Sequence, residues 1–534
     1  MLAALLLSPS CADVHDRGPE ALVVAQETQA AWVRNFNPFL PAGASRWPTR
    51  GGIHEPLAIY NRVAGEWVPW LATGFAWEDE GRTLRFAVRE GVRWSDGAPF
   101  TPGDVAFTFE LMRAHAALDT LGVWKWLAGV EVDGQDVVFR LSRPFSPGLD
   151  DIAEQPIVAR HAWSGVEDPI SFAEPDPVGT GPYTEVTSFT SQMWELGANP
   201  NYWRGAPAVP ALRFPAFAGN DAANLALVNG EVDWAGNFVP AVDRTFVGID
   251  RDHRVAWSPT VEATVFLYAN TAEGPFGDVR VREALSRAID RERLATIAMD
   301  GATHPADPTG LSDALDGYRD LSLQTSWTTW DPDAAGRLLD EAGYRLVDGV
   351  RHGPDGPLAF DLLVVAGWSD WIRAAQLVAR DLGEVGLPVR VRPVDFGGWL
   401  DRVQRGDFAL TIGWSTQGST PYAGYRDLMA TSTVRPVGTA SGGNWHRYGS
   451  PEADRLLAAV EATSDPDAQA ALFRALQGVF VEEKPAIPLF PGPTWGVANT
   501  RLFDGFPDAA DPWAALSPNR SPESLLVLSA LEPR

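Results

Sequence analysis

The sequence predicts a mixed α/β protein built from more than one lobe, and three observations carry that prediction. A chain of 534 residues with 45% hydrophobic content exceeds what one core usually serves, so two or three lobes are expected. Strand-like and helix-like segments alternate irregularly, punctuated by 50 Gly and 43 Pro, and no internal repeat stands out. Helix followed directly by strand, as in residues 372–394, is the ordering of an α/β lobe.

After a polar stretch to about Ala21, residues 83–89 place Leu84, Phe86 and Val88 on one face and Arg85, Ala87 and Arg89 on the other, the period of a half-buried strand. Val137, Phe139 and Leu141 repeat the pattern. Between them Thr101 precedes Pro102 and stands three residues before Asp104: an N-cap, a proline at the first helical position and an acid in the first turn. A helix with Val105, Phe109 and Met112 on one side is expected to follow. Residues 278–294 set Val281, Leu285, Ala288 and Ile289 at helical spacing among Arg280, Arg282, Arg287 and Arg291, which predicts one amphipathic helix with a basic solvent face. Residues 334–344 predict another helix, closing on Gly343. Residues 372–385 predict a third, lined by Ala375, Val378 and Leu382; it ends at Gly386, and the strand 387–394 follows with Val389 and Val391 alternating with Arg390 and Arg392.

The charge balance, 43 Lys+Arg against 69 Asp+Glu for a net −26, repels phosphate backbones and anionic lipid surfaces, so nucleic acid is not an expected partner. No apolar run approaches the roughly 20 residues that a spanning helix needs. At the N-terminus the apolar run Leu2 to Leu7 leads through Ser8, Pro9 and Ser10 to Cys11, the one cysteine of the chain, although no basic residue precedes Leu2. A short apolar run ending in small residues is the pattern of a secretory signal core. The cysteine after it resembles the lipid-modified cysteine of bacterial lipoproteins, which makes Cys11 the expected lipid anchor and 1–21 a leader and tether.

The block GVRWSDGAPFTPGDVAFTFELM at 91–112 resembles a signature of the family 5 solute-binding proteins, which deliver peptides, nickel complexes or oligosaccharides to ABC importers. VGTGPY at 178–183, NPNYWRGAP at 199–207, VNGEVDW at 228–234, DVRVREALSRAIDRERL at 278–294 and DAAGRLLDEAGY at 333–344 continue the resemblance in order. It implies a bilobal, periplasmic-binding-protein-like fold (type II-like, cluster C) with an extra domain on the N-terminal lobe and a ligand cleft between lobes. On this reading 22–55, 178–265 and 488–534 form lobe I, 56–177 the extra domain and 266–487 lobe II. Ligand contacts with both lobes would favour the closed state. The implied partners are an ABC permease with its ATPase subunits, and the implied location is the periplasm or the outer face of the cell membrane, reached by a monomer through its lipid anchor alone.

The 22 tryptophans stand beside 25 Phe and only 9 Tyr. Most are expected to fill cores, but indole faces can stack on sugar rings and indole N–H groups can donate to hydroxyls. Clusters at Trp67, Trp70 and Trp77, at Trp124 and Trp126, and at Trp368 and Trp371 are candidates for the cleft. In GWSTQGSTP, 413–421, the position where peptide-binding relatives carry an aspartate for the ligand's α-ammonium is Gln417, with Asp427 the nearest acid that could substitute. A buried ammonium without a carboxylate is strongly disfavoured, whereas glutamine both donates to and accepts from a neutral hydroxylated ligand. The segments 35–41, 65–72, 117–124 and 444–448 resemble the β-glucan and cello-oligosaccharide branch of the family. The resulting expectation is a neutral oligosaccharide, with an oligopeptide as the alternative. The ligand-binding candidates are Trp414 and Gln417, then Asn444 and Trp445, with Asn35 and Asn37 at the cleft mouth.

A tryptophan-rich glycoside hydrolase is the rival from another class, but no sequence spacing marks a carboxylate pair. The eight histidines are scattered without an HExxH or a Cys/His cluster, and no G-x-S-x-G is present. Neither catalysis, a cofactor nor a metal is expected. His446 is the one histidine considered for a nickel complex in the cleft.

Overall fold

A computed structural model describes residues 18–26, 28–40, 52–323, 325–354 and 356–534; Cys11 lies outside them. Among the described residues a seven-stranded sheet runs in the order Arg254–Ala256, Val497–Asn499, Trp234–Ala235, Leu22–Ala25, Ala211–Pro215, Met193–Ala198, Tyr183–Phe189. Leu22–Ala25 is parallel to both of its neighbours. It is buried on both faces, as its unbroken apolar sequence requires: Leu22 and Val24 enter one core, Val23 and Ala25 another.

A second sheet of five strands runs Val389–Val394, Phe360–Val365, Leu410–Trp414, Thr264–Ala269, Ile487–Pro491. The chain passes between the two sheets twice, once from Arg254–Ala256 to Thr264–Ala269 and once from Ile487–Pro491 to Val497–Asn499. A third, four-stranded antiparallel sheet (Ala72–Glu78, Thr83–Val88, Asp136–Leu141, Leu127–Asp133) carries the helix Pro102–Ala114. That helix starts at the expected capping box, with Thr101 N–H donating to Asp104 at 2.8 Å.

The helix Ser369–Glu384 and strand Val389–Val394 follow the expected order, with Gly386 in the left-handed region between them. The helix expected over 278–294 is different. It runs Val279–Ala288 and stops, because Ile289 is extended and Asp290 caps a new short helix by accepting from Arg293 N–H. Its basic face is not all solvated: Arg282 and Arg291 are buried and donate to the carbonyls of Phe276, Glu483 and Lys484 and to those of Ser286, Thr328 and Pro488 respectively. Burial without a carboxylate partner pulls the Arg291 guanidinium down to about 9. These two arginines bind loop ends to the second lobe.

Candidate functional site

A cavity of about 330 Å3 is lined by three groups of segments distant in sequence. Pro38, Phe39, Tyr60, Arg62 and Trp67 form one side, residues from within 118–121 and 147–156 a second, and residues from within 416–426 the third. The third wall exists because Leu410–Trp414 ends at Trp414, the chain turns through 415–421, and the helix Tyr422–Met429 begins.

The walls touch directly, so the lobes are closed on one another. Asp150 accepts from the Ser419 N–H at 2.7 Å and from its hydroxyl at 2.5 Å. Gly418 is needed for that approach, since a Cβ there would stand 2.5 Å from Asp150 Oδ2. Arg143 pairs with Glu461 at 2.6 Å, and Phe145 meets the Tyr422 ring edge-on at 5.9 Å. Farther along the interface Trp368 Nε1 donates to Thr28 Oγ1 at 3.3 Å and Asn220 N–H to the Gly367 carbonyl at 3.0 Å.

Beside the cavity a charged network joins distant segments. Arg520 donates to Glu262 at 2.5 Å and to Gln417 Oε1 at 3.0 Å. Gln417 Nε2 donates to the Val261 carbonyl at 2.9 Å and to Ser312 Oγ at 3.1 Å. Arg62 lies 3.5 Å from the buried Glu523 and 3.9 Å from Glu154. Glu262 and Val261 belong to one of the two segments that cross between sheets, so this network couples the crossing to the cavity's lining.

The candidates from sequence fall in four places. Gln417 lines the cavity, with both ends of its amide engaged as described. Trp414 and Trp445 meet in an aromatic cluster behind it: the half-buried Trp414 lies 5.4 Å from Trp445, 5.2 Å from Trp399 and 6.0 Å from Trp371. Gly413 permits this packing, because a Cβ would stand 2.9 Å from Trp445. Asn444, in the left-handed region at φ 51, donates to Thr433 Oγ1 and the Tyr448 carbonyl and accepts from Tyr448 N–H, organising its own loop. Asn35 accepts from Asn37 N–H, and buried Asn37 accepts from Phe39 N–H and donates to the Pro169 and Phe172 carbonyls. This pair of turns presents Pro38 and Phe39 to the cavity while both asparagine side chains serve the loop.

His446 does not reach the cleft. It is fully buried, stacked on Tyr268 at 5.0 Å and bonded to the Leu428 carbonyl, and burial pushes its imidazole down to about 3. Among the described residues no group of three or more His, Cys, Asp or Glu could hold a metal ion. No described helix is long and apolar enough to cross a membrane.

Sequence reasoning missed five of the cavity's ionisable groups: Asp150, Asp151, Glu154, Arg62 and Arg426. The signal available was the acidic run LDDIAE between prolines 147 and 156, too short for periodicity to place. Burial raises the Asp150 carboxyl to about 6, opposed by its bonds from Ser419. Burial raises Asp151 to about 7, opposed by the charge of Arg426. A raised carboxyl keeps its proton in the folded state after the unfolded chain has lost it near pH 4, so its contribution to stability falls as pH rises toward 7. Asp151→Asn is therefore expected to melt above the parent protein at pH 8, by a margin that shrinks toward pH 4; a margin independent of pH would contradict this.

Residues 66–435 match the bacterial extracellular solute-binding proteins, family 5 (middle region). Protein XP55 of Streptomyces lividans is 30% identical over 424 residues, covering 76% of this chain and 72% of that protein. A glutathione-binding protein of Salmonella typhi is 26% identical over 432 residues, covering 78% of this chain and 79% of its own. The periplasmic oligopeptide-binding protein of a Thermotoga maritima ABC transporter, solved with mannohexaose bound, superposes with a TM-score of 0.87 at 26% identity, covering 97% of this chain and 99% of its own. The Bacillus subtilis oligopeptide-binding protein in complex with a nonapeptide shares the fold, with a TM-score of 0.80 at 20% identity over 96% of this chain and 99% of its own. A two-lobed α/β architecture closed around an interlobe cavity, and a family match running through most of its length, make this chain a member of the family 5 extracellular solute-binding proteins, the ligand-capturing components of ABC transporters.

Proposed function

We propose that this solute-binding protein captures a neutral oligosaccharide in the interlobe cavity and presents it to its permease in the closed state. The observation that carries the reading is at Gln417: an uncharged amide lines the cavity where peptide-binding relatives are expected to place a carboxylate. The nearby Asp427 does not replace it, because it accepts from Thr416 Oγ1 and pairs with Arg426 at 3.0 Å. Phe39, Tyr60, Trp67 and Tyr422 supply aromatic surface for the apolar faces of sugar rings. The mannohexaose complex of the Thermotoga relative supports the same class. We place the hinge in the two crossing segments, 257–263 and 492–496.

A second reading, oligopeptide capture, is favoured by one observation: the Asp151 carboxylate lines the cavity and could receive an ammonium group. The glutathione and nonapeptide ligands of two relatives point the same way. Thermal melting separates the readings. A ligand present at 100 times its Kd adds about 2.7 kcal/mol to the folded state. Cello- or manno-oligosaccharides are expected to raise the Tm by several degrees while tri- to pentapeptides leave it unchanged; the opposite pattern returns the protein to peptide uptake.

Cys11 is proposed as the lipid attachment point. Mass spectrometry of membrane-extracted protein is expected to show a peptide beginning at Cys11 with added acyl mass, and an unmodified Cys11 in that fraction would contradict it.

A further inference from the structure

The cavity contains two ionisable groups whose bonding capacity the protein itself leaves largely open. Asp151 comes from the short helix Gly148–Ala153 on one wall. Its neighbour Asp150 is taken by Ser419, but among the described residues the Asp151 carboxylate accepts no hydrogen bond and forms no ion pair. Arg426 comes from the helix Tyr422–Met429 on the opposite wall. Its Nε donates to Asp427 at 3.0 Å, while its terminal nitrogens donate to no described residue. The two are not ion-paired with each other, although the Arg426 charge is felt at Asp151. Of the other side chains here, Arg62 and Glu154 belong to the charged network, and His54 Nε2 stands 3.1 Å from Glu174.

A lone carboxylate opposite a guanidinium with free N–H groups asks for a ligand group that donates on one side and accepts on the other. Neighbouring hydroxyls on a sugar ring do both while adding no charge. An ammonium would satisfy the carboxylate but bring a second cation toward Arg426. We propose that Asp151 and Arg426 form the recognition clamp of the cleft, with Asp151 accepting from one hydroxyl and Arg426 donating to its neighbour on a single ring. Because the two residues stand on opposite walls, a ring held by both favours closure. This proposal rests on the oligosaccharide reading above and specifies its anchor.

The test is calorimetric titration of cellopentaose and of mannohexaose into the parent protein, Asp151→Asn, Arg426→Gln and the double variant, with Arg426→Lys as a variant that keeps the charge beside Asp427. Each neutralising change is expected to weaken the bound oligosaccharide about 10- to 100-fold. The double variant is expected to lose little more than the worse single, because both residues serve one ring. Arg426→Lys should retain the fold yet lose affinity, since an ammonium lacks the planar fork. A purely structural role would not move the pH profile. Hydroxyls donate to the ionised carboxylate, so parent affinity should rise from pH 5.5 to 8, and more shallowly in Asp151→Asn. The groups facing Asp151 in this titration are Asp150, Asp119, Asp427 and Arg426, with Glu154 and Arg62 on the same side. Oligosaccharide binding by the parent with less than about a 3-fold change in both single variants would overturn the clamp while leaving the oligosaccharide reading in place. Failure of the parent to bind either sugar, with peptide binding instead, would overturn both.

Discussion

Arg520→Ala is expected to destabilise the protein by about 3–5 kcal/mol, because it removes one partner from a largely buried charged network. Arg520 is the group that bonds both Glu262 and Gln417, and its Nε lies 3.8 Å from the buried Glu523. Without it, Glu523 keeps only Arg62, Glu262 loses its ion pair, and the Gln417 carbonyl has no donor. The loss falls where the chain crosses between sheets, so it should loosen closure as well as the fold. Denaturant unfolding at pH 7.5 measures the first effect and the radius of gyration in solution the second. A change under 1 kcal/mol with an unaltered radius would show that the network is not coupled to the hinge.

Trp399→Ala is expected to cost about 3–5 kcal/mol in the second lobe. The ring is completely buried, its Nε1 donates to Thr411 Oγ1 at 3.0 Å, and it packs 5.7 Å from Trp445 and 6.1 Å from Phe396. Trp414 rests on it, so the void would also release the strand end from which the cavity wall begins. Calorimetric melting should show the loss in the transition of the second lobe, accompanied by weaker ligand binding. Unchanged melting would mean that the neighbouring indoles collapse into the space.

Local pattern carried the element predictions where one face is buried and the ends are marked. Residues 83–88 and 102–114 are examples: alternation defines the first, and Thr101, Pro102 and Asp104 define the start of the second. The break after Ala288 was not legible, because the buried position of Arg291 depends on carbonyls at Thr328 and Pro488, far along the chain. The candidate site divides in the same way. Three of the four segments picked by resemblance reach the cavity, at Phe39, at Trp67 and at Leu118 to Leu121, while 444–448 stabilises a loop elsewhere. An asparagine in a loop reads the same in sequence whether its amide faces a ligand or its own backbone, which is why Asn37 and Asn444 could not be told from true lining residues. Asp150 and Asp151 were missed because their meaning comes from a distant wall: Ser419, 269 residues from Asp150, and Arg426 in the helix that follows it.

The most direct test of the account is isothermal titration of the protein, without residues 1–11, against cellopentaose, mannohexaose and a mixture of tri- to pentapeptides. The account predicts micromolar or tighter binding of at least one oligosaccharide, weakened in Trp414→Ala, with no heat from the peptides. Peptide binding alone would contradict it and assign the open charge of Asp151 to an ammonium group.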